Sequence, residues 1–161
     1  MFLKPDYMIE GDITDIDIDL LRKDGIKALI LDLDSTLVAP KSAHITQEAL
    51  DWLNRARAQF KVAIASNNKN ETYLGEVEQL LKVKIVGRAK KPSRKAFQSL
   101  LKEFGLGAHE VAVIGDRPLT DIWGGKRAGM KTVLVRILKT MQEPKWKTSI
   151  RALERVFIRS N

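Results

Sequence analysis

The chain has 161 residues, of which 44% are hydrophobic and 30% charged, enough for one domain with a proper core and too few for two independent ones. It contains no cysteine, which excludes disulfides and thiolate metal sites and leaves Asp, Ser, Thr, Lys and His to carry any chemistry. A net charge of +8 and a pI near 9.8 imply attraction to something anionic: nucleic acid, anionic lipid or a phosphorylated substrate.

Residues 1–24 are acidic, with Asp12, Asp15, Asp17 and Asp19 set among Ile13, Ile16 and Ile18. Thr14 followed by Asp17 resembles a capping box and Gly25 a C-cap, which predicts a helix over residues 15–23, although the alternation also suits a strand. From Ile26 the pattern becomes regular. Strands are expected over residues 26–33, 61–66, 83–86, 111–115 and 132–135, separated by helices over 46–59, 70–81, 93–104 and 121–128. Five short apolar strands alternating with helices predict a three-layer α/β fold, a mainly parallel sheet covered on both faces. Ligands of such folds bind beyond the carboxyl ends of the strands.

The tail predicts one more helix over residues 144–159. Trp146, Ile150, Leu153 and Phe157 fall on one face, and Lys147, Arg151, Arg155 and Arg159 form an i, i+4 basic row. Two readings stand: a terminal helix packed on the core with a solvated basic side, or a surface that meets anionic membrane. No repeat or interdomain linker interrupts residues 1–161, so a single domain is expected, with its core at 26–135. No apolar run reaches the roughly 18 residues of a membrane span. The start, MFLKPDYMIEGD, lacks the apolar core of a signal peptide, so a location inside the cell is expected.

Four strand ends carry the candidate chemistry. The first apolar run, LILDLDSTLV, stops at Asp32, with Asp34 and Thr36 following. Burying two carboxylates so close together requires a cation or a proton to offset their charge. In an extended chain residues i and i+2 project to one side, so one carboxylate could attack phosphorus while the other handles the leaving-group proton. The second strand ends in Ser66, Asn67 and Asn68 ahead of a helix, a set that serves equally as a phosphate cradle or an ordinary N-cap. The third leads to Gly87-Arg88-Ala89-Lys90-Lys91-Pro92. A lysine held there would neutralise phosphoryl oxygens and an attacking carboxylate together, whereas an exposed basic loop would do nothing. The fourth ends in GDRPLTD, where Asp116 can face the same crevice as Asp32; Asp121 starts a helix or supports Lys91. Carboxylates from two strand ends form an oxygen-rich site suited to Mg²⁺.

LDLDSTLV, a strand ending in Ser66, Lys91-Pro92 and GDRPLTD, in this order and at this spacing, resemble the four motifs of the haloacid-dehalogenase-like (HAD-like) phosphohydrolases, over residues 26–135. The resemblance implies Asp32 as the nucleophile that forms an aspartyl-phosphate and Asp34 as the general acid and base. It implies Ser66 and Asn67 at the substrate phosphate, Lys91 (or its neighbour Lys90) as the charge stabiliser, and Thr36 and Asp121 in support. Magnesium would be held by Asp32, the Asp34 carbonyl and Asp116.

Asp34 to Ser66 and Ser66 to Lys91 each hold one helix and one strand, leaving no room for the inserted cap domain of many members. The sequence further resembles the bacterial and organellar subgroup that includes phosphatidylglycerophosphate phosphatases, from which Ser35 departs where an asparagine is expected. The implied substrate is a phosphorylated lipid head group, processed at the inner face of a membrane; the alternatives are a soluble phosphomonoester such as a small metabolite or nucleotide, and a nucleic-acid end. Aromatic residues make up only 6% and are not interleaved with a basic stretch as a base-stacking platform requires, which argues against nucleic acid.

Overall fold

A computed structural model of the protein describes residues 3–40 and 43–138. The helix expected over 144–159 lies outside the described residues. Six strands form one sheet: β1 (Tyr7–Met8), β2 (Ala28–Leu31), β3 (Lys61–Ala65), β4 (Lys84–Val86), β5 (Val111–Gly115) and β6 (Lys131–Leu134). Their order is β1-β6-β5-β2-β3-β4, and every neighbouring pair is parallel. The helices are α1 (Ile18–Lys23), α2 (Gln47–Gln59), α3 (Glu71–Leu81), α4 (Lys95–Phe104) and α5 (Trp123–Arg127).

Alternation along the central strands divides the core in two. Leu29, Leu31, Ile64, Ala112 and Ile114 face Leu21, Trp52, Leu53 and Val77 on one side of the sheet. Ala28, Ile30, Ala63, Val111 and Val113 face Phe97 and Leu100 on the other. Both faces are therefore covered, as an all-parallel sheet requires, and the three layers match the expected α/β class. The helices start and stop where capping chemistry permits. Thr46 accepts from Ala49 N at 3.2 Å ahead of α2, Asn70 accepts from Tyr73 N at 3.1 Å ahead of α3, and Gly105 takes φ 66° after α4.

Two expectations need correction. The sheet has six strands rather than five: β1 pairs with β6 through Asp6 N to Thr132 O (3.0 Å) and Ile9 N to Leu134 O (2.9 Å). Residues 15–23 do not form one helix. A 3-10 turn at Ile13–Asp15 is closed by a capping box between Asp12 and Asp15, and Asp17 caps α1 by accepting from Leu20 N. Positions i and i+2 of an α-helix lie on nearly opposite faces. The extended Ile16 between the two turns lets Ile13, Ile16 and Ile18 all bury.

The chain runs β2, β3, β4 toward one edge and then returns to lay β5 on the other side of β2. That reversal opens a crevice at the carboxyl ends of β2 and β5, the usual place for a ligand in an open α/β sheet. Register pairs Leu31 with Ile114, and Asp32 N donates to Ile114 O at 2.9 Å. The residues that follow each strand are thereby brought side by side.

Candidate active site

Past β2 the chain turns sharply. Ser35 adopts φ 73° and its N–H donates to Val38 O, a turn that tucks Thr36 wholly out of solvent beneath the crevice. Thr36 Oγ1 lies 3.2 Å from Asp32 Oδ2 and 3.0 Å from Asp116 Oδ1, so its single proton can serve either carboxylate and ties the ends of β2 and β5 together.

Lys91 comes from the loop after β4 and is buried, while Lys90 is exposed. Of the two adjacent lysines, only Lys91 reaches the carboxylates. Its Nζ stands 2.7 Å from Asp32 Oδ1 and 2.7 Å from Asp121 Oδ1. Asn67 fixes the backbone that delivers it: Lys91 N donates to Asn67 Oδ1 (2.7 Å) and Asn67 Nδ2 donates to Lys91 O (3.1 Å). Both polar atoms of the Asn67 side chain are thus engaged by Lys91, although the residue also lines the cleft. Ser66 is buried at the end of β3, lines the cleft, and accepts from Asn68 N at 3.1 Å.

Gly115 is required where β5 ends, because a Cβ there would lie 2.1 Å from Asp121 Oδ2. The absent side chain is what lets the Asp121 carboxylate fold back toward the strand, where Arg117 N donates to it at 3.2 Å.

Electrostatics follow from this crowding. Burial alone would push the Lys91 ammonium down, but Asp121 and Asp32 overcome it and hold the lysine above its ordinary value. Burial, then the Asp32 charge, pushes the Asp121 carboxyl up to about 6 against the pull of Lys91. Carboxylate oxygens of Asp32, Asp116 and Asp121 all lie within 4.8 Å of one another. Three clustered carboxylates thus have one buried ammonium among them, bonded to Asp32 and Asp121. An all-oxygen donor set with this surplus of negative charge fits a divalent cation. Lys91 and Arg117 N take the two oxygens of Asp121, whereas Asp32 and Asp116 share the single Thr36 proton, so Asp32 and Asp116 are the carboxylates best placed to hold the cation. The Asp34 carboxylate lies outside that cluster. It accepts from Tyr73 OH at 2.9 Å and from Asn68 Nδ2 at 3.3 Å.

The cleft over these groups has a volume of about 240 Å³ and is lined by Asp32, Asp34, Ser66, Asn67, Lys91 and Arg117 together with Thr120 and Pro40. The structure therefore brings Asp32, Asp34, Thr36, Ser66, Asn67, Lys91, Asp116 and Asp121 to one edge of the sheet and leaves Lys90 outside. Sequence reasoning missed Arg117 and Thr120, although both stand inside the GDRPLTD motif, and it missed Tyr73, whose place at the third position of a helix carries no chemical signal of its own.

A doubly wound parallel sheet whose central crevice collects these carboxylates and this lysine, from strand ends in this order, defines a phosphohydrolase of the HAD-like class. In fold the chain is similar to D,D-heptose 1.7-bisphosphate phosphatase from B. bronchiseptica, a structure complexed with magnesium and phosphate, at a TM-score of 0.60 and 16% identity over 84% of this chain and all of that one. Within the class, the chain belongs to the PGP phosphatase family: residues 2–138 match the family described as Mitochondrial PGP phosphatase. It is 34% identical to the probable phosphatase YqeG of Bacillus subtilis over 83% of this chain and 77% of that protein. It is 32% identical to phosphatidylglycerophosphate phosphatase 1, chloroplastic/mitochondrial, of Arabidopsis thaliana over 95% of this chain but only 46% of that protein. The chain thus spans about half the length of the plant relative. No helix among the described residues is long and apolar enough to cross a membrane.

Proposed function

We propose that the protein is a magnesium-dependent phosphatase that hydrolyses phosphatidylglycerophosphate to phosphatidylglycerol through an aspartyl-phosphate on Asp32. The observation that carries the reaction is the position of Lys91 Nζ, 2.7 Å from both Asp32 and Asp121, with Thr36 joining Asp32 to Asp116. Family membership and the plant relative support the lipid substrate.

In the first displacement an Asp32 oxygen bonds to phosphorus, the ester P–O bond breaks, and Asp34 gives its proton to the departing alkoxide. In the second, Asp34 takes a proton from water as the water oxygen attacks phosphorus. The bond between phosphorus and Asp32 then breaks, and inorganic phosphate leaves. Lys91 keeps the nucleophile aimed and offsets charge on the phosphoryl oxygens throughout, while the Ser66 hydroxyl binds the phosphate. Mg²⁺ held by Asp32, Asp116 and the Asp34 carbonyl would screen the repulsion between an anionic nucleophile and an anionic substrate.

Polar lining and small volume both suit a phosphoryl group rather than a whole substrate. A cleft of about 240 Å³ is smaller than the 300–1,000 Å³ that usually encloses a drug-sized ligand. The body of the ester therefore stays outside, as it does for a phosphate carried on a lipid. Phosphate release should be measured from phosphatidylglycerophosphate in mixed micelles, beside glycerol phosphate, sugar phosphates and nucleotides, with magnesium and with chelator. The proposal expects magnesium-dependent release with the lipid preferred. Equal or greater turnover of a soluble ester would replace the lipid reading with that of a general phosphomonoesterase, and release undiminished by chelator would remove the metal.

A further inference from the structure

We infer that Tyr73 is a positioning residue for proton transfer, holding the Asp34 carboxyl where it can protonate the leaving group. The inference rests on the acid and base role proposed for Asp34. Tyr73 stands in the first turn of α3 with its backbone N–H anchored to the Asn70 cap at 3.1 Å. Its ring packs in the core beside the crevice and is only 8% exposed. From that fixed base the phenol donates to Asp34 Oδ1 at 2.9 Å, while Asn68 Nδ2 reaches the other oxygen, Oδ2, at 3.3 Å. Two donors from the β3–α3 connection therefore grip both oxygens and set the plane of the carboxyl. A free aspartate two residues beyond the nucleophile could instead swing toward the buried Lys91 ammonium or toward the cation that Asp32 and Asp116 would hold. Either partner would draw it away from the ester oxygen. A phenol on a buried ring is a rigid tether with few rotatable bonds, and general acid catalysis requires hydrogen-bond reach to the oxygen it protonates.

A merely structural tyrosine would affect all substrates alike, whereas a positioning role depends on the leaving group. Nitrophenolate departs without a proton; the alkoxide of glycerol phosphate does not. The value of kcat/KM reports the displacement in which the leaving group departs, so Tyr73→Phe, which keeps the ring and removes one hydroxyl, is measured on both esters. It should lower kcat/KM about tenfold on glycerol phosphate, part of the 10²–10⁴ that general acid catalysis supplies, and change it less than about twofold on p-nitrophenyl phosphate. In an Asp34→Ala background the same substitution should cost nothing further on glycerol phosphate, because its target is gone. Equal losses on the two esters, or a full additional loss in the Asp34→Ala background, would overturn the inference while leaving the phosphatase reading intact. A wild-type chain inert toward both esters and toward phosphatidylglycerophosphate would remove the phosphatase reading and this inference with it.

Discussion

At the scale of single residues the site depends on a side chain that is not there. Gly115 has no Cβ, and the Asp121 carboxylate that grips Lys91 occupies the space one would need. Gly115→Ala should therefore push Asp121 off the ammonium, cost roughly 1–3 kcal/mol by overpacking, and lower kcat far more than that loss of stability explains. Calorimetry alongside steady-state kinetics checks both parts, and wild-type turnover in the variant would mean that Asp121 has little to do with aiming Lys91. Sequence legibility at this scale was high where motif chemistry is explicit. Asp32, Asp34 and Asp116 stand out because carboxylates closing buried apolar strands are costly unless something offsets their charge, whereas only the motif resemblance favours Lys91 over Lys90. Tyr73 does not stand out, since a tyrosine in the first turn of an amphipathic helix reads as core, which in part it is. Asn67 was legible as polar and close to the site, but its grip on the backbone of Lys91 depends on a loop whose path no local pattern specifies.

At the scale of elements, the strands and helices from β2 to β6 lie close to where apolar runs and capping residues predict them. A strand buried on both faces reads as an unbroken apolar run, as β2 and β5 do, and a helix with one buried face shows the 3.6 period. The N-terminal elements were obscured for a physical reason. β1 is two residues long and has no pattern of its own; it exists because β6 offers an open edge and because Asp6 reaches across. Asp6 Oδ2 accepts from Thr132 N (2.9 Å) and the Thr132 hydroxyl (3.1 Å) and pairs with Lys126 (3.0 Å). Burial pushes the Asp6 carboxyl up, but Lys126 and Thr132 outweigh it and hold the group below its ordinary 3.8. A carboxyl with a lowered folded value stabilises the native state fully above its unfolded value, and that contribution is lost as pH falls through the folded one. Asp6→Asn should thus lower stability at neutral pH by no more than about 1 kcal/mol, since solvent screens a partly exposed pair. The gap to wild type should close as pH drops well below 3.8. Melting temperatures of the two proteins across that range check it; a gap that persists in strong acid would show that Asp6 acts through shape rather than charge.

For the molecule as a whole, the decisive event is the reversal of strand order between β4 and β5, which sets β5 against β2 and brings Asp116 to Asp32 through Thr36. The alternation of strands and helices foretold a parallel sheet with its ligand at the carboxyl edge. The strand order was not legible, because which edge a returning strand chooses is decided by helix packing on both faces rather than by any local run of residues. The residues alone suggested that Asp116 could meet Asp32, and only the motif resemblance assigned Ser66 and Lys91 to the same site. The resulting balance, three clustered carboxylates of which two bond one buried ammonium, is unfavourable for an idle surface and suited to holding a cation and an anionic ester together. The most direct test is to quench the enzyme in acid during turnover of a radiophosphate-labelled ester with magnesium present and ask where the label sits. The account predicts a hydroxylamine-sensitive acyl phosphate on the peptide containing Asp32, absent from a folded Asp32→Asn variant that releases no phosphate. Sustained phosphate release by that variant, or label found on any other residue, would contradict it.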